Sequence, residues 1–168
     1  MWQYRWWVWV LLFVAAALLD VSLLADVFPG GYVPDLVLPL VVALAFFETP
    51  PRGAMIGALG GLILDLTAGR LIGLNMTVYA GVGFFVASIQ SKVVRDPVFV
   101  PGLIGAGMEA VVRIVEWVLV ALFGFPLPPS VFFQPLPVFV LFGLFATPGI
   151  MGLLHLRPRH EVDIHLKF

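Results

Sequence analysis

Charges are scarce in this chain, and their order along it restricts what it can fold into. Only 11% of its 168 residues are Asp, Glu, Lys or Arg. They punctuate long apolar runs, and their sign alternates from gap to gap. Seven of the nine basic residues (Arg5, Arg52, Lys92, Arg95, Arg157, Arg159 and Lys167) fall in every second gap or at a terminus. The intervening gaps hold acids and one basic residue, Arg70. Cytoplasmic loops of polytopic membrane proteins carry an excess of Lys and Arg. The pattern therefore predicts a chain that crosses the bilayer repeatedly and keeps both ends in the cytoplasm.

Composition points the same way. The chain is 61% hydrophobic, with a mean hydropathy of +1.07. A soluble domain of this size needs more polar surface. A single membrane domain over residues 1–168 is expected. No cleavable signal peptide is expected either, because the first apolar run has no small-x-small site leading into a soluble body. The absence of Cys excludes a disulfide framework, thiolate chemistry and Cys-ligated metals. A net charge of −1 does not suit nucleic acid, which needs clustered cations.

A span needs about 20 apolar residues to cross roughly 30 Å of hydrocarbon. The runs predict an all-α, six-helix transmembrane bundle with spans over residues 6–24, 33–47, 53–64, 71–89, 102–123 and 131–154. A cytoplasmic tail over 155–168 follows. Trp2, Tyr4, Trp6, Trp7 and Trp9 form an aromatic belt at the cytoplasmic end of the first run. Phe28-Pro29-Gly30-Gly31 reads as an external turn, as does the uncharged stretch from Gly124 to Pro129. The second and third runs are short. They are either thin spans joined by the cytoplasmic turn Glu48-Thr49-Pro50-Pro51-Arg52, or a re-entrant hairpin buried against protein. Thin spans are expected, since Arg52 at the midplane would cost about 2.5–3.5 kcal/mol.

Three groups of residues stand out. Gly53, Gly57, Gly60 and Gly61 include two spacings of four, the small-xxx-small pattern that lets helix backbones approach closely, within the bundle or against a partner. Glu109, Arg113 and Glu116 recur at i, i+4 and i+7 in the fifth run, so one helix face carries all three. Such a stripe is either a polar interior site, such as a pocket or an ion relay, or a self-neutralising ladder that fixes helix register. The ladder is favoured, because no His or second acidic cluster completes a relay. Finally, Asp65, Gly69, Arg70, Gly73 and Asn75 form a sharp turn between the third and fourth runs. There Asp65 is placed to cap the opening of the fourth run or to pair with Arg70.

Nothing in the chain announces catalysis. There is no P-loop, Gly-x-Ser-x-Gly or His-Glu-x-x-His motif. His155, His160 and His165 lie five residues apart and share no helix face, so no metal site is expected. Neither a catalytic residue nor a cofactor is assigned.

The stretch from Gly57 to Asn75 resembles the signature of the rod-shape-determining membrane protein MreD family. That signature is a glycine-rich helix ending in Asp (here Asp65), then Gly69 and the Gly73-Leu74 pair. The length, the loop-poor layout and Pro34-Asp35-Leu36 at the start of the second run also fit. The resemblance implies a non-enzymatic scaffold of the cell-wall elongation machinery that binds the bitopic protein MreC. Its further associates would be the glycosyltransferase RodA, its class B penicillin-binding transpeptidase and the actin-like MreB. It also implies a fold similar to the substrate-binding S components of energy-coupling-factor vitamin transporters, which is the alternative function. Two features count against that alternative. The first run (Ala15-Ala16-Ala17-Leu18-Leu19-Asp20-Val21) lacks the alanine pair four apart by which S components dock. The external turns also offer few convergent polar groups for a vitamin.

Overall fold

Two helices pressed together along their backbones form the most extensive contact in the protein. The computed structural model describes residues 6–20, 22, 34–68, 73–93, 99–124 and 128–154. Within them the secondary structure is entirely helical: α1 (Trp6–Leu19), α2 (Val37–Ala45), α3 (Pro50–Ala68), α4 (Leu74–Val93), α5 (Phe99–Leu122), the short α6 (Pro129–Phe133) and α7 (Leu136–Leu153). Helices α3 and α4 make one close pair, and α5 and α7 make the other. Helix α2 lies between the pairs and touches α1, α3, α4, α5 and α7.

The α3–α4 pair is close because α3 presents glycine where the helices meet. A Cβ on Gly57 would overlap the carbonyl of Tyr79, one on Gly61 the carbonyl of Asn75, and one on Gly53 the carbonyl of Gly83. Contacts advance along α3 as they retreat along α4, so the helices run antiparallel. Gly60 faces the other way. There a Cβ would come within 2.9 Å of both Phe13 on α1 and Val41 on α2. One helix thus packs on three neighbours through its small residues.

A second seam joins α5 to α7. Gly105 meets Thr147, and Gly143 lies against the Cγ of Glu109, which a Cβ would approach to 2.8 Å. Each glycine makes a notch for a polar side chain of the opposite helix. Pro148 lies inside α7 and has no N–H to give the carbonyl of Leu144. That oxygen faces Gly102, where a Cβ would stand only 2.6 Å away.

Several elements differ from the runs expected above. The second run, expected as a thin span over 33–47, is a helix of nine residues, all buried. At 1.5 Å per residue α2 reaches about 14 Å and cannot cross a bilayer. Its continuous apolar run reflects burial on every side. The third run, expected over 53–64, extends over 19 residues, about 28 Å. Pro50 and Pro51 suit a first helical turn, and Asp65 points inward rather than ending the helix. The sixth run is two helices, because Gln134-Pro135 breaks it; proline lacks the N–H and crowds the preceding turn. The fourth and fifth runs, expected over 71–89 and 102–123, are Leu74–Val93 and Phe99–Leu122. The first run, expected over 6–24, is α-helical over Trp6–Leu19 and continues as a wider π turn at Asp20 and Ser22; its expected end at 24 lies outside the described residues. The aromatic residues Trp2 and Tyr4, the Phe28–Gly31 turn and the tail from 155 lie outside the described residues.

Among the described helices, α7 is long and apolar enough to cross a membrane by length and composition alone. The apolar stretches Trp7–Leu19 and Leu74–Gln90 are shorter. Polarity is nonetheless distributed inside out. Leu11, Leu18, Met55, Phe84, Phe85 and Phe145 are exposed, whereas Asp20, Asp35, Asp65, Glu109 and Glu116 are buried. That distribution suits a hydrocarbon solvent and is the reverse of what water selects.

The seams yield a clear expectation. Gly57→Leu should push α3 off α4 and destabilise the detergent-solubilised protein by at least the roughly 1–3 kcal/mol of an overpacked core. Gly81→Ala, where an added Cβ meets nothing within 4 Å, should leave the thermal midpoint unchanged or slightly raised. Thermal unfolding followed by size-exclusion chromatography checks both.

Candidate functional site

A helix that begins inside a bundle of other helices, away from water, needs acceptors for its first N–H groups. Two carboxylates do this for α2. The N–H of Leu36 donates to Asp20 Oδ1 at 3.0 Å, and the N–H of Val37 donates to Asp35 Oδ1 at 2.7 Å. Asp20 comes from the end of α1, so the cap also ties α1 to α2. Pro39 falls in the first turn, where its missing N–H is harmless. The hydroxyl of Tyr79 on α4 donates to Asp35 Oδ2 in a buried hydrogen bond. Negative charge at a helix N-terminus is favourable, so this arrangement suits both the carboxylates and the helix.

Asp65 performs the same service for α4. It is fully buried at the C-terminal end of α3 and accepts three backbone N–H groups: Gly73 at 2.8 Å, Asn75 at 3.2 Å and Met76 at 3.2 Å. Gly73 has φ +101°, a conformation that glycine adopts without penalty. Gly61 brings the backbones close enough for this carboxylate to reach across. Asp65, Gly73 and Asn75 therefore assemble into one cap. Gly69 and Arg70 lie outside the described residues.

The stripe on α5 turns into the bundle. Arg113 Nη1 donates to Glu116 Oε2 at 2.9 Å, and both side chains are largely enclosed. The Arg113 guanidinium also lies 4.3 Å from the centroid of the Phe139 ring on α7. Cation–π contacts of this kind gain strength when water is absent. Glu109, one turn back, is completely buried at the seam with α7, and neither of its carboxylate oxygens has a hydrogen-bond partner. Asp35, Arg113, Glu116 and Asp20 all lie within its electrostatic reach. Tyr79 in turn feels Asp35, Glu116 and Arg113.

The three groups singled out in the sequence thus occupy two places. Gly53, Gly57 and Gly61 face α4, and Gly60 faces α1 and α2, so the stripe is filled by the bundle itself. Glu109, Arg113 and Glu116 join Asp20, Asp35 and Tyr79 in a polar cluster drawn from α1, α4, α5 and the residues that open α2. The stripe seemed to lack a second acidic group; Asp20 and Asp35 provide one. Their signal was present, because an ionisable residue inside an apolar run is suspect by default. Their convergence with the stripe, across 74 to 96 positions of sequence, was not visible. Thr147 carried no signal at all.

A family model described as "rod shape-determining protein MreD" matches residues 2–153. The chain belongs to the MreD family. It therefore has a role in rod-shape determination, and its family is one of membrane proteins that shape the cell as structural components. No curated protein and no solved structure matches the chain. Within this MreD-family chain, the Gly57–Asn75 signature has a physical content: a glycine seam, the buried carboxylate it admits, and the turn that carboxylate caps.

Two substitutions probe these contacts. Asp65→Ala leaves three donors of α4 without their acceptor, and should lower stability by more than the roughly 0.5–2 kcal/mol of a single lost N-cap. Arg113→Leu removes the cation from beside Glu116 and Glu109 and should destabilise by about 3–5 kcal/mol. The double change Arg113→Leu with Glu116→Leu should recover part of that loss. Thermal or denaturant midpoints of the purified protein in detergent decide each case.

Proposed function

We propose that this chain is a non-enzymatic, six-span scaffold of the bacterial inner membrane that binds MreC and organises the peptidoglycan synthases of lateral wall elongation. Both termini lie in the cytoplasm in this reading. RodA, the class B penicillin-binding transpeptidase and MreB belong to the same machinery. The observation that carries the proposal is the match to the MreD family over residues 2–153. The architecture supports it. Asp35, Asp65, Tyr79, Arg113 and Glu116 are spent on capping helices and pairing with one another, and large apolar side chains form the outer surface.

The docking face for MreC lies on α7. The alternative, the glycine stripe of α3, is occupied by α4. On α7, Phe139 turns inward beneath Arg113, while Phe145 projects outward at 71% exposure and Phe142 is half-buried. Phe132 and Phe133 on α6 continue the aromatic surface, with Phe133 edge-on to Trp117 at 5.8 Å. An apolar helix face that offers rings and shape can hold a partner's transmembrane helix by van der Waals packing.

Affinity purification from native membranes tests the assignment. MreC should co-purify, and Phe145→Ala should lower its recovery without changing the stability of the isolated protein. A monodisperse protein that never associates with MreC and retains a vitamin would overturn the scaffold in favour of a transporter S component. Topology has its own test. The chain has no Cys, so single cysteines at Lys92 or Phe168 should be labelled only from the cytoplasmic side.

A further inference from the structure

The α5–α7 seam encloses polar atoms that the bundle leaves unanswered. Glu109 occupies the notch at Gly143, fully buried, with both carboxylate oxygens unpartnered. Thr147 occupies the matching notch at Gly105, equally buried, and its hydroxyl is unpartnered too. Arg113 is one turn from Glu109, yet its guanidinium is committed elsewhere: Nη1 bonds Glu116, the plane lies on Phe139, and Nε has no partner.

The charge around Glu109 is unbalanced. From its own helix it faces Arg113 and Glu116, from the start of α2 Asp35, and from the end of α1 Asp20. Helix α4 brings Tyr79, which is bonded to Asp35. Helices α6 and α7 carry no charged residue; α7 offers only Thr147. The cluster therefore sets four carboxyl groups against one guanidinium. Asp20 and Asp35 are answered in part by the N–H groups and dipole of α2, and Glu116 by Arg113. Among the described residues, Glu109 has none of these. A carboxylate removed from water with neither a donor nor a dedicated counter-charge is not a stable end state.

We propose that Glu109 is a binding site for one small cation that the described residues do not supply, either a hydrogen ion or an alkali metal ion. The Thr147 hydroxyl is a neutral oxygen on the same seam, suited to accept from an acid or to ligate a metal. Occupancy also controls Arg113, which stands between two carboxylates on its own helix, Glu109 four residues back and Glu116 three ahead. With the cation bound, Arg113 stays on Glu116 and Phe139. With it released, Glu109 competes for the guanidinium and draws it off the Phe139 ring. The site couples ion occupancy to the α5–α7 contact, the same helix face pair that underlies the aromatic surface.

The test compares wild type and Glu109→Gln, both full length in detergent micelles at neutral pH. Infrared spectra report whether a protonated carboxyl is present through its C=O stretch, which moves in D2O. Thermal midpoints in Na+, K+ and choline chloride at equal ionic strength report an alkali ion. A protonated-carboxyl band that disappears in Glu109→Gln supports the proposal and identifies the cation as a hydrogen ion. If that band is missing, a Na+- or K+-dependent rise in midpoint that Glu109→Gln abolishes supports it as a metal site. No Glu109-dependent band and no Glu109-dependent cation effect would overturn it. If Glu109→Gln does not fold, Glu109→Asp keeps the question open to measurement: the band should shift, or the cation-dependent rise should shrink.

Discussion

A helix of nine residues that begins and ends among other helices needs its backbone satisfied by protein, and the rest of the architecture follows from how α2 meets that demand. Its N-terminus is held by Asp20 and Asp35. At its other end the N–H groups of Phe46, Phe47 and Glu48 fold back onto Val42, Leu44 and Ala45, and the Glu48 carbonyl accepts from Gln90 on α4. In between, every side chain is covered. An element too short to be a membrane-crossing helix is the one on which five others pack.

Tyr79 links this core to the glycine seam. Its backbone carbonyl is the atom that Gly57 admits, and its hydroxyl is the donor to Asp35. A side chain on Gly57 would displace Tyr79 and, through it, the cap of α2. Without a hydrophobic force to drive helices together in lipid, close packing and shared polar contacts must supply the specificity. Here the two act through one residue. The α5–α7 pair repeats the device in a different form, with Glu109 and Thr147 entering glycine notches and Pro148 baring a carbonyl to Gly102.

Much of this was legible residue by residue. The spacing of Gly53, Gly57 and Gly61 announced a close approach but not its partner, because any helix with a small surface satisfies the same pattern. Asp65 was readable as a cap, since it precedes a glycine turn, although three donors on one carboxylate could not be inferred. Residues 33–47 misled, because a run that is apolar on every side is equally consistent with lipid around it or protein around it. Residues 131–154 misled because hydropathy ignores the hydrogen bond that Pro135 cannot make. The stripe on α5 was plain, but its companions Asp20 and Asp35 each looked like an isolated acid near the end of an apolar run.

The sequence by itself determined that the chain is helical, rich in apolar residues and a member of the MreD family, because composition, glycine spacing and the Asp65–Asn75 turn are properties of neighbouring residues. Only the tertiary structure decided that α2 is an enclosed core helix and that Asp20, Asp35, Tyr79, Glu109, Arg113 and Glu116 form one cluster. The reason is that helix periodicity says which residues share a face, while the neighbour that face meets depends on how closely backbones approach, and that is a property of pairs far apart in the chain.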